Sequence, residues 1–309
     1  MLLAGALALA GVWAGRAGVH ALILRGLRAP RLPHQDSPAA WGLVAQSVRL
    51  PSAGGKTLFA WFVPAPGGAP APAVVVMHGW GANASLMLPA AAPLHAAGFA
   101  VLLVDARCHG DSDGEAFTSL PRFAEDIEAG MDWLQRQSCV DGRRLAVIGH
   151  SVGAGAALLS ATRRPDLRAV VSLSAFAHPR EVMRRFLGAA RIPYPVLGWY
   201  VLRHVQRVIG ARFDDIAPLH SMARAHCPVL LVHGTDDATV PFDDARRLLA
   251  AGRPGQVRRI AMKGGHDSGQ AMEEHLPQVI GFLQQAVSAP LQDAAVHAVD
   301  PSQSILESR

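Results

Sequence analysis

Ser151 stands in a pattern of residues that could turn its hydroxyl group into a nucleophile. The pentapeptide Gly-His-Ser-Val-Gly at 149–153 follows the apolar run Leu145–Ile148 and precedes small residues and leucines at helical spacing. A strand, a sharp turn and a helix are the context in which Gly-x-Ser-x-Gly forms a nucleophile elbow, with the serine in a strained conformation. Side chains two positions from the serine would collide in such a turn, which explains the glycines, and we expect His150 to point elsewhere. The alternative interpretation is a Gly-Ser turn that arises by chance.

The same five-residue pattern recurs at 110–114, but its flanking residues are unsuitable. Residues 107–109 do not form a strand pattern, and residues 115–118 do not begin a helix of small residues. Three acidic residues within five positions would also disfavour an alkoxide-like nucleophile at Ser112. We therefore expect Ser112 to lie in a solvated polar turn, and we place the nucleophile at Ser151.

A serine nucleophile needs a base, and the base needs an acid that holds it in one tautomer. Two further apolar runs, 228–233 and 256–262, each end shortly before a candidate for one of these roles. His266 follows a Gly-Gly pair after the second run, where we expect an exposed and mobile imidazole. Asp237 follows the first run, and we prefer it as the acid over Asp236, which we interpret as a turn former.

The elements that must position these residues alternate along the chain, since strand-length apolar runs are followed by helix-length segments. This alternation predicts an α/β fold, a mostly parallel sheet with helices on both faces. Strands are expected at 74–77, 99–104, 144–149, 168–173, 228–233 and 256–262, after an amino-terminal hairpin of 44–50 with 57–63. Helices are expected at 84–97, 121–137, 151–163, 241–252 and 269–287. Because catalytic groups in such sheets lie at the carboxyl ends of the strands, the three candidates should meet at one edge.

One stretch of more than fifty residues, between Leu173 and Pro228, breaks the alternation. It is too long for a connecting loop and too apolar to be disordered. We therefore predict a helical cap at about 176–218. Most of its aromatic side chains are expected to form the core of the cap itself: Phe176, Phe186, Tyr194, Trp199, Tyr200 and Phe213.

The amino-terminal segment 1–24 is apolar apart from Arg16 and His20, and arginines follow it. A signal peptide carries its positive charge before the apolar stretch, so we favour a membrane anchor over a cleaved signal. The arginines that follow would hold the next domain in the cytoplasm. A secreted protein, a soluble cytoplasmic protein and a misassigned start are the alternatives.

The rest of the chain divides by composition. Residues 25–43 are rich in proline and arginine and are expected to form a linker, which precedes the main domain at 44–288. Residues 289–309 lack periodicity and are expected to form a disordered tail.

The charge and the cysteines exclude several classes of function. A net charge of +5 could suggest nucleic acid, but the arginines are scattered, there are two lysines, and no nucleic-acid-binding motif is present. We expect no nucleic-acid partner. Cys108, Cys139 and Cys227 lack the spacing of metal ligands. Nothing in the sequence implies a metal or an organic cofactor.

Taken together, these residues resemble the α/β-hydrolase-fold serine hydrolases of the esterase/lipase type, over roughly residues 44–287. A further motif of that family is matched by His-Gly-Trp-Gly at 78–81, after the first parallel strand. The match implies an oxyanion hole built from the backbone N–H groups of Trp80 and Val152.

A second family motif, Asp-x-Arg-Gly-His-Gly-x-Ser, resembles residues 105–112, after the next strand. Cys108 stands where the family usually has glycine. We assign this segment a structural role.

The resemblance implies cleavage of a carboxylic ester through an acyl-enzyme intermediate, in which His266, steadied by Asp237, activates Ser151. An apolar cap and a membrane anchor favour an ester with an acyl or aryl part. An amidase or aminopeptidase and a thioesterase of the same fold stay open, as does a non-catalytic binding protein. An aminopeptidase would want an acidic cap surface to bind the substrate amine, whereas this cap is rich in arginine and histidine. A haloalkane dehalogenase is excluded, since it would need aspartate at position 151.

Overall fold

The computed structural model describes residues 2–267 and 269–289, without the side chains of residues 2–10, 12 and 269–271. Most of the predicted disordered tail therefore lies outside the described residues. Side chains over much of the predicted anchor at 1–24 lie outside them too.

Eight strands form one sheet in the order β1-β2-β4-β3-β5-β6-β7-β8. The pairs β1–β2 and β2–β4 are antiparallel, and all other neighbouring pairs are parallel. The strands are β1 Gln46–Ser52, β2 Lys56–Val63, β3 Ala71–Met77, β4 Ala100–Val104, β5 Val140–His150, β6 Leu167–Leu173, β7 Val229–Gly234 and β8 Val257–Met262.

Ten α-helices surround the sheet or precede it within the described residues. They are α1 Leu2–Gly26, α2 Leu88–Ala96, α3 Leu120–Gln135, α4 Val152–Arg163, α5 Pro179–Ala189, α6 Trp199–Ile209, α7 Phe213–Ile216, α8 Pro218–Arg224, α9 Phe242–Ala251 and α10 Gly269–Ser288. Short 3₁₀ turns occur at Pro38–Trp41, Ala53–Gly55 and Ala84–Met87, and a π-turn occurs at Tyr194–Gly198.

Both faces of the sheet are covered, as a parallel sheet requires. One apolar cluster joins the sheet to α3, α4, α8 and α9, and a second joins its other face to α2 and α10. Helix α3 shows how the sequence produces this packing. Its apolar face recurs at helical spacing and is fully buried, and it consists of Phe123, Ile127, Met131 and Leu134. Each such side chain stabilises the fold by about 1.5–3 kcal/mol. The predicted class, a mostly parallel sheet with helices on both faces, is confirmed.

The first hairpin differs from its prediction by two residues. Strand β1 continues through Pro51 to Ser52, which pairs with Lys56, whereas the prediction ended the strand at Leu50. The strand tolerates proline because β1 lies at the edge of the sheet.

The segment predicted as a linker, 25–43, is bound to the domain by specific hydrogen bonds. The Arg31 guanidinium donates to the carbonyl oxygens of Gly110 and Ser112, at 2.8 and 2.7 Å. Nε2 of His34 lies 2.8 Å from a carboxylate oxygen of Asp105. We call this segment the strap, since it ties the loops after β3 and β4 to the amino-terminal helix.

The insertion between β6 and β7 contains α5, α6, α7 and α8. Phe176 and Phe213 are buried, as expected of a core. Phe186 and Trp199, however, are 67% and 55% exposed, so these two lie outside the core that was expected for most of the aromatic side chains. Helix α6 buries Leu202 and, one turn later, Val205. Trp199 lies on the side of the helix that faces solvent.

Among the helices of the described residues, none combines the length and the apolar character needed to cross a bilayer. The described residues therefore give the membrane anchor predicted at 1–24 no support.

Candidate active site

Ser151 lies at a sharp turn between β5, which ends at His150, and α4, which begins at Val152. Its φ and ψ are 54° and −114°, a conformation that side-chain-bearing residues rarely adopt. Strain of this kind costs about 1–3 kcal/mol and persists only where the surrounding structure enforces it. The N–H of Ser151 donates to the carbonyl oxygen of Leu173 at 2.8 Å, which anchors the turn to β6.

The two glycines of the elbow are required by close backbone approach. A Cβ atom on Gly149 would lie 2.2 Å from the carbonyl oxygen of Gly153. A Cβ atom on Gly153 would lie 2.4 Å from the carbonyl oxygen of His78. Since these backbone atoms are held by β5, by the start of α4 and by the end of β3, only glycine fits at either position.

His266 joins Ser151 to Asp237 through one imidazole ring. Its Nδ1 lies 2.7 Å from Oδ2 of Asp237, and its Nε2 lies 3.0 Å from Oγ of Ser151. A proton on Nδ1 satisfies the carboxylate, so Nε2 is left to accept the hydroxyl proton of the serine. The imidazole is 13% exposed, so the expected exposed ring is instead partly buried and held at both nitrogens.

The carboxylate of Asp237 is fully buried and is surrounded by donors. Its Oδ1 accepts from the N–H groups of Thr239 and Val240, at 2.9 and 2.7 Å. Burial acts to raise the pKa of Asp237, but hydrogen bonds from His233, His266 and the Val240 N–H outweigh it and hold that pKa well below its usual range. Asp237 is therefore ionised at neutral pH, as an acid that steadies an imidazolium must be.

Asp236 acts on the backbone and does not reach His266. Its N–H donates to the carbonyl oxygen of Gly264 at 2.9 Å, and its carboxylate accepts from the N–H of the same residue at 3.2 Å. A Cβ atom on Gly234 would lie 2.4 Å from that carbonyl oxygen. Asp236 and Gly234 thus hold the loops after β7 and β8 together, and this brings Asp237 to His266.

The loop after β3 brings backbone donors beside the serine. A Cβ atom on Gly79 would lie 3.1 Å from Cβ of Ser151. In the described part of the chain, the N–H groups of Trp80 and Val152, the two oxyanion-hole donors implied by the resemblance, donate no hydrogen bond to another protein group. Both are therefore available to a substrate oxygen.

Two buried histidines, whose role the sequence analysis missed, hold this loop. The N–H of Gly81 donates to Nε2 of His109 at 3.1 Å. His78 donates from Nδ1 to the carbonyl oxygen of Gly79 at 2.7 Å and accepts at Nε2 from the N–H of Ala106 at 3.0 Å. Burial lowers the pKa of His78 to about 3 and also lowers that of His109, so both rings stay neutral. The available signal was their position inside the two motifs that follow β3 and β4.

The turn after β4 has structural contacts, as predicted, but Ser112 is not in the solvated environment that was expected. Cys108 has φ of 69°, the left-handed conformation that explains glycine at the equivalent position of the resembled family. Ser112 is buried and not solvated, because its hydroxyl donates to the carbonyl oxygen of Asp105 at 2.6 Å and accepts from the N–H of Phe59 at 2.8 Å. It is a structural link between β2 and the turn.

His150 contacts the backbone of the candidate base. Its Nε2 lies 3.0 Å from the carbonyl oxygen of His266, so the ring donates there. Its Nδ1 is buried and has no hydrogen-bond partner among the described residues. The pKa of His150 is lowered, mainly because the ring is buried, and the lowered pKa keeps the ring neutral.

A metal ion would compete with this arrangement. His150, His266 and Asp267 bring one ligand atom each to within 4.8 Å of one another. Both ring nitrogens of His266 already have partners in Ser151 and Asp237. Coordination by His266 would therefore break the chain of hydrogen bonds.

Comparison with known families gives a partial match. A model of the family described as serine aminopeptidase, S33, matches residues 68–212. The matched region includes Trp80 and Ser151 but ends before Asp237 and His266.

Relatives and solved structures extend the comparison. An uncharacterized protein of Mycobacterium tuberculosis is 32% identical over 219 residues, which are 71% of this chain and 71% of that protein. The Pyrococcus furiosus esterase Pf2001 superposes with a TM-score of 0.68 at 20% identity, covering 84% of this chain and 99% of that one. A puromycin-hydrolyzing peptidase of Mycobacterium tuberculosis superposes with a TM-score of 0.61 at 20% identity, covering 80% of this chain and 40% of that one. The two superpositions establish likeness of fold.

Proposed function

The chain belongs to the α/β-hydrolase superfamily, and we propose that it is a serine hydrolase that cleaves carboxylic esters through an acyl-enzyme intermediate. The observation that carries the proposal is the unbroken chain of hydrogen bonds from Ser151 through His266 to the buried carboxylate of Asp237. Fold alone would not support a reaction, because this scaffold hosts many functions.

The first half of the reaction uses the orientation of the imidazole. Nε2 of His266 takes the hydroxyl proton of Ser151 as Oγ attacks the ester carbonyl carbon. The carbonyl π-electrons move to the oxygen and give a tetrahedral oxyanion. The imidazolium, held by ionised Asp237, then donates its proton to the leaving oxygen, and the alcohol departs from the acyl-enzyme.

The oxyanion is stabilised by donors that do not have to reorganise. The N–H groups of Trp80 and Val152 are the candidates, and Val152 also lies at the positive end of α4. One such donor contributes about 3–4 kcal/mol to the transition state in a well-studied protease. The second half repeats the sequence with water, which His266 deprotonates as it attacks the acyl carbon, so that the acid is released and Ser151 is restored.

An ester is favoured over an aminoacyl amide by the charge of the insertion. No acidic residue occurs from 182 to 213, whereas a peptidase that binds a free amine needs a carboxylate for it. The second candidate is an aminopeptidase, because the matching family model is described by that activity. Hydrolysis of a thioester would use the same residues with a sulfur leaving group.

The experiment has two parts. A fluorophosphonate probe should label the wild type and Ser112→Ala but not Ser151→Ala, with the exposed Ser138→Ala as a matched control. p-Nitrophenyl esters of increasing acyl length, acyl thioesters and aminoacyl p-nitroanilides should then be compared by kcat/KM.

We expect kcat/KM on the esters to rise by about three- to fourfold with each methylene added to the acyl chain, until the acyl pocket is full. Labelling that persists in Ser151→Ala would overturn the nucleophile. A preference for aminoacyl p-nitroanilides would make the protein an aminopeptidase, and negligible rates in all three series would indicate a non-catalytic binding protein.

A further inference from the structure

The insertion between β6 and β7 exposes a surface that is both apolar and strongly basic. We define the cap surface as the exposed side chains between residues 184 and 212. We propose that the cap surface docks on an anionic phospholipid bilayer. This inference is independent of the proposed catalytic activity. The amino-terminal helix lies beside the cap surface, since Nε2 of His20 is 2.6 Å from the hydroxyl of Tyr200 in α6.

The apolar part of the cap surface is formed by four large side chains that are exposed to solvent over much of their area. Phe186, Val196, Leu197 and Trp199 are 67%, 80%, 43% and 55% exposed. They belong to the second half of α5, the π-turn and the start of α6, and Val196, Leu197 and Trp199 lie within four consecutive residues. Contiguous exposed apolar groups on a folded domain typically mark an interaction site.

The charged part of the cap surface carries one sign only. Its six exposed arginines are Arg184, Arg185, Arg191, Arg203, Arg207 and Arg212. In the described part of the chain, four of these have no carboxylate within 4.0 Å, the exceptions being Arg185 and Arg212. Glu181, at the border of the cap surface, forms an ion pair with Arg247 outside it, at an N–O distance of 2.7 Å. The positive field of the cap surface is therefore largely uncompensated.

Basic and aromatic groups are interleaved in the way an interfacial helix requires. Trp199, Arg203 and Arg207 follow one another at four-residue spacing along α6, while Leu202 and Val205 face the protein. The Arg203 guanidinium lies 5.8 Å from the centre of the Trp199 ring. The exposed face of α6 therefore presents to a bilayer an indole ring, which favours the level of the headgroups, and two guanidinium groups, which pair with phosphates.

Charge also decides between the occupants of this surface. A second copy of the chain would place arginines against arginines, so self-association through the cap surface is opposed. Nucleic acid would satisfy the arginines and would stack on Phe186 and Trp199, but it offers no apolar partner to the exposed aliphatic side chains of Val196 and Leu197. An anionic bilayer matches both parts, since phosphates pair with arginine and acyl chains accept the aliphatic side chains.

The experiment is sedimentation of the full chain with vesicles of phosphatidylcholine alone or mixed equally with phosphatidylglycerol. We expect binding to the anionic vesicles, weakened by high salt because the attraction is screened. Neutralising each arginine should lower the partition coefficient by about fivefold, so Arg191→Gln with Arg203→Gln should lower it more than tenfold. Phe186→Ser with Trp199→Ser should lower it at least tenfold at low and at high salt alike, because salt does not screen the apolar contribution.

Matched controls come from exposed residues outside the cap surface. Arg136→Gln with Arg253→Gln removes two exposed charges, and Val44→Ser removes a side chain that is 87% exposed. These variants should bind vesicles like the wild type, and hydrolysis of a short soluble ester or probe labelling reports folding in every variant. Equal vesicle binding by wild-type and cap variants would overturn the proposal. Absence of binding to anionic vesicles would also overturn it and would direct attention to an acidic protein partner.

Discussion

Nε2 of His150 lies 3.0 Å from the carbonyl oxygen of His266, so the residue before the candidate nucleophile donates a hydrogen bond to the backbone of the candidate base. The bond spans two loops that are more than a hundred residues apart in the chain. It fixes the peptide from which the imidazole of His266 projects. We therefore expect His150 to position the imidazole of His266.

Replacing His150 should lower kcat and leave KM almost unchanged. His150→Leu removes the donor but keeps a similar volume, and we expect kcat on a soluble ester to fall at least tenfold, because the imidazole loses its fixed orientation. His150→Gln keeps an N–H donor at a similar reach and should restore most of the activity. Steady-state kinetics of the three proteins check this, and equal losses in the two variants would contradict a positioning role.

Asp237 and Asp236 should differ by orders of magnitude in their effect on turnover. Asp237→Asn should lower kcat on an ester by about 10⁴-fold, the scale observed when a triad histidine is held in the wrong tautomer. Asp236→Asn should keep most activity, since its carboxylate accepts from the N–H of Gly264 and an amide oxygen can replace it there. Reversed effects would show that Asp236 is the acid.

Ser112 should matter for stability and not for labelling. Its hydroxyl is bonded to the carbonyl oxygen of Asp105 and to the N–H of Phe59, and Ser112→Ala leaves both groups buried without that partner. We expect the free energy of unfolding to fall by about 1–3 kcal/mol in urea denaturation. The exposed Ser138→Ala provides the comparison, and an unchanged midpoint for Ser112→Ala would contradict the assigned role.

Stability should fall as the pH drops below about 6.5. Burial lowers the pKa of His78 to about 3 from an ordinary value of 6.5, so the unfolded chain binds more protons between these two values. This contribution is complete above the unfolded pKa, and it decreases by about 1.4 kcal/mol per pH unit below it.

Urea unfolding at pH 7.5 and pH 5.5 measures this loss. His78→Asn should be less stable at pH 7.5 but should show a smaller dependence on pH, whereas the exposed His226→Asn should keep the wild-type dependence. The same pH dependence in His78→Asn and the wild type would mean that another group titrates.

The sequence by itself determined the features whose physical cause is local. Gly149 is required by its approach to Gly153 within one turn, whereas the contact that requires Gly153 is with the distant His78. The buried runs of β3 to β7 predict strands because a parallel sheet is covered on both faces. The placement of Asp237 and His266 after two neighbouring strands followed from the same regularity, since parallel strands bring their carboxyl ends to one edge.

Only the tertiary structure decided the contacts between segments that are distant in the chain. The bond from His150 to His266, the strap bonds of Arg31 and the exposure of Trp199 each depend on which loop or helix face lies opposite. The pattern of residues within one segment does not show which segment lies opposite it. A histidine, an arginine or a tryptophan occurs in the same local pattern whether its side chain contacts protein or solvent. The strand-to-helix turn can thus be predicted from the sequence. The contacts of the His266 imidazole and the exposure of the apolar side chains on the cap surface are decided by packing.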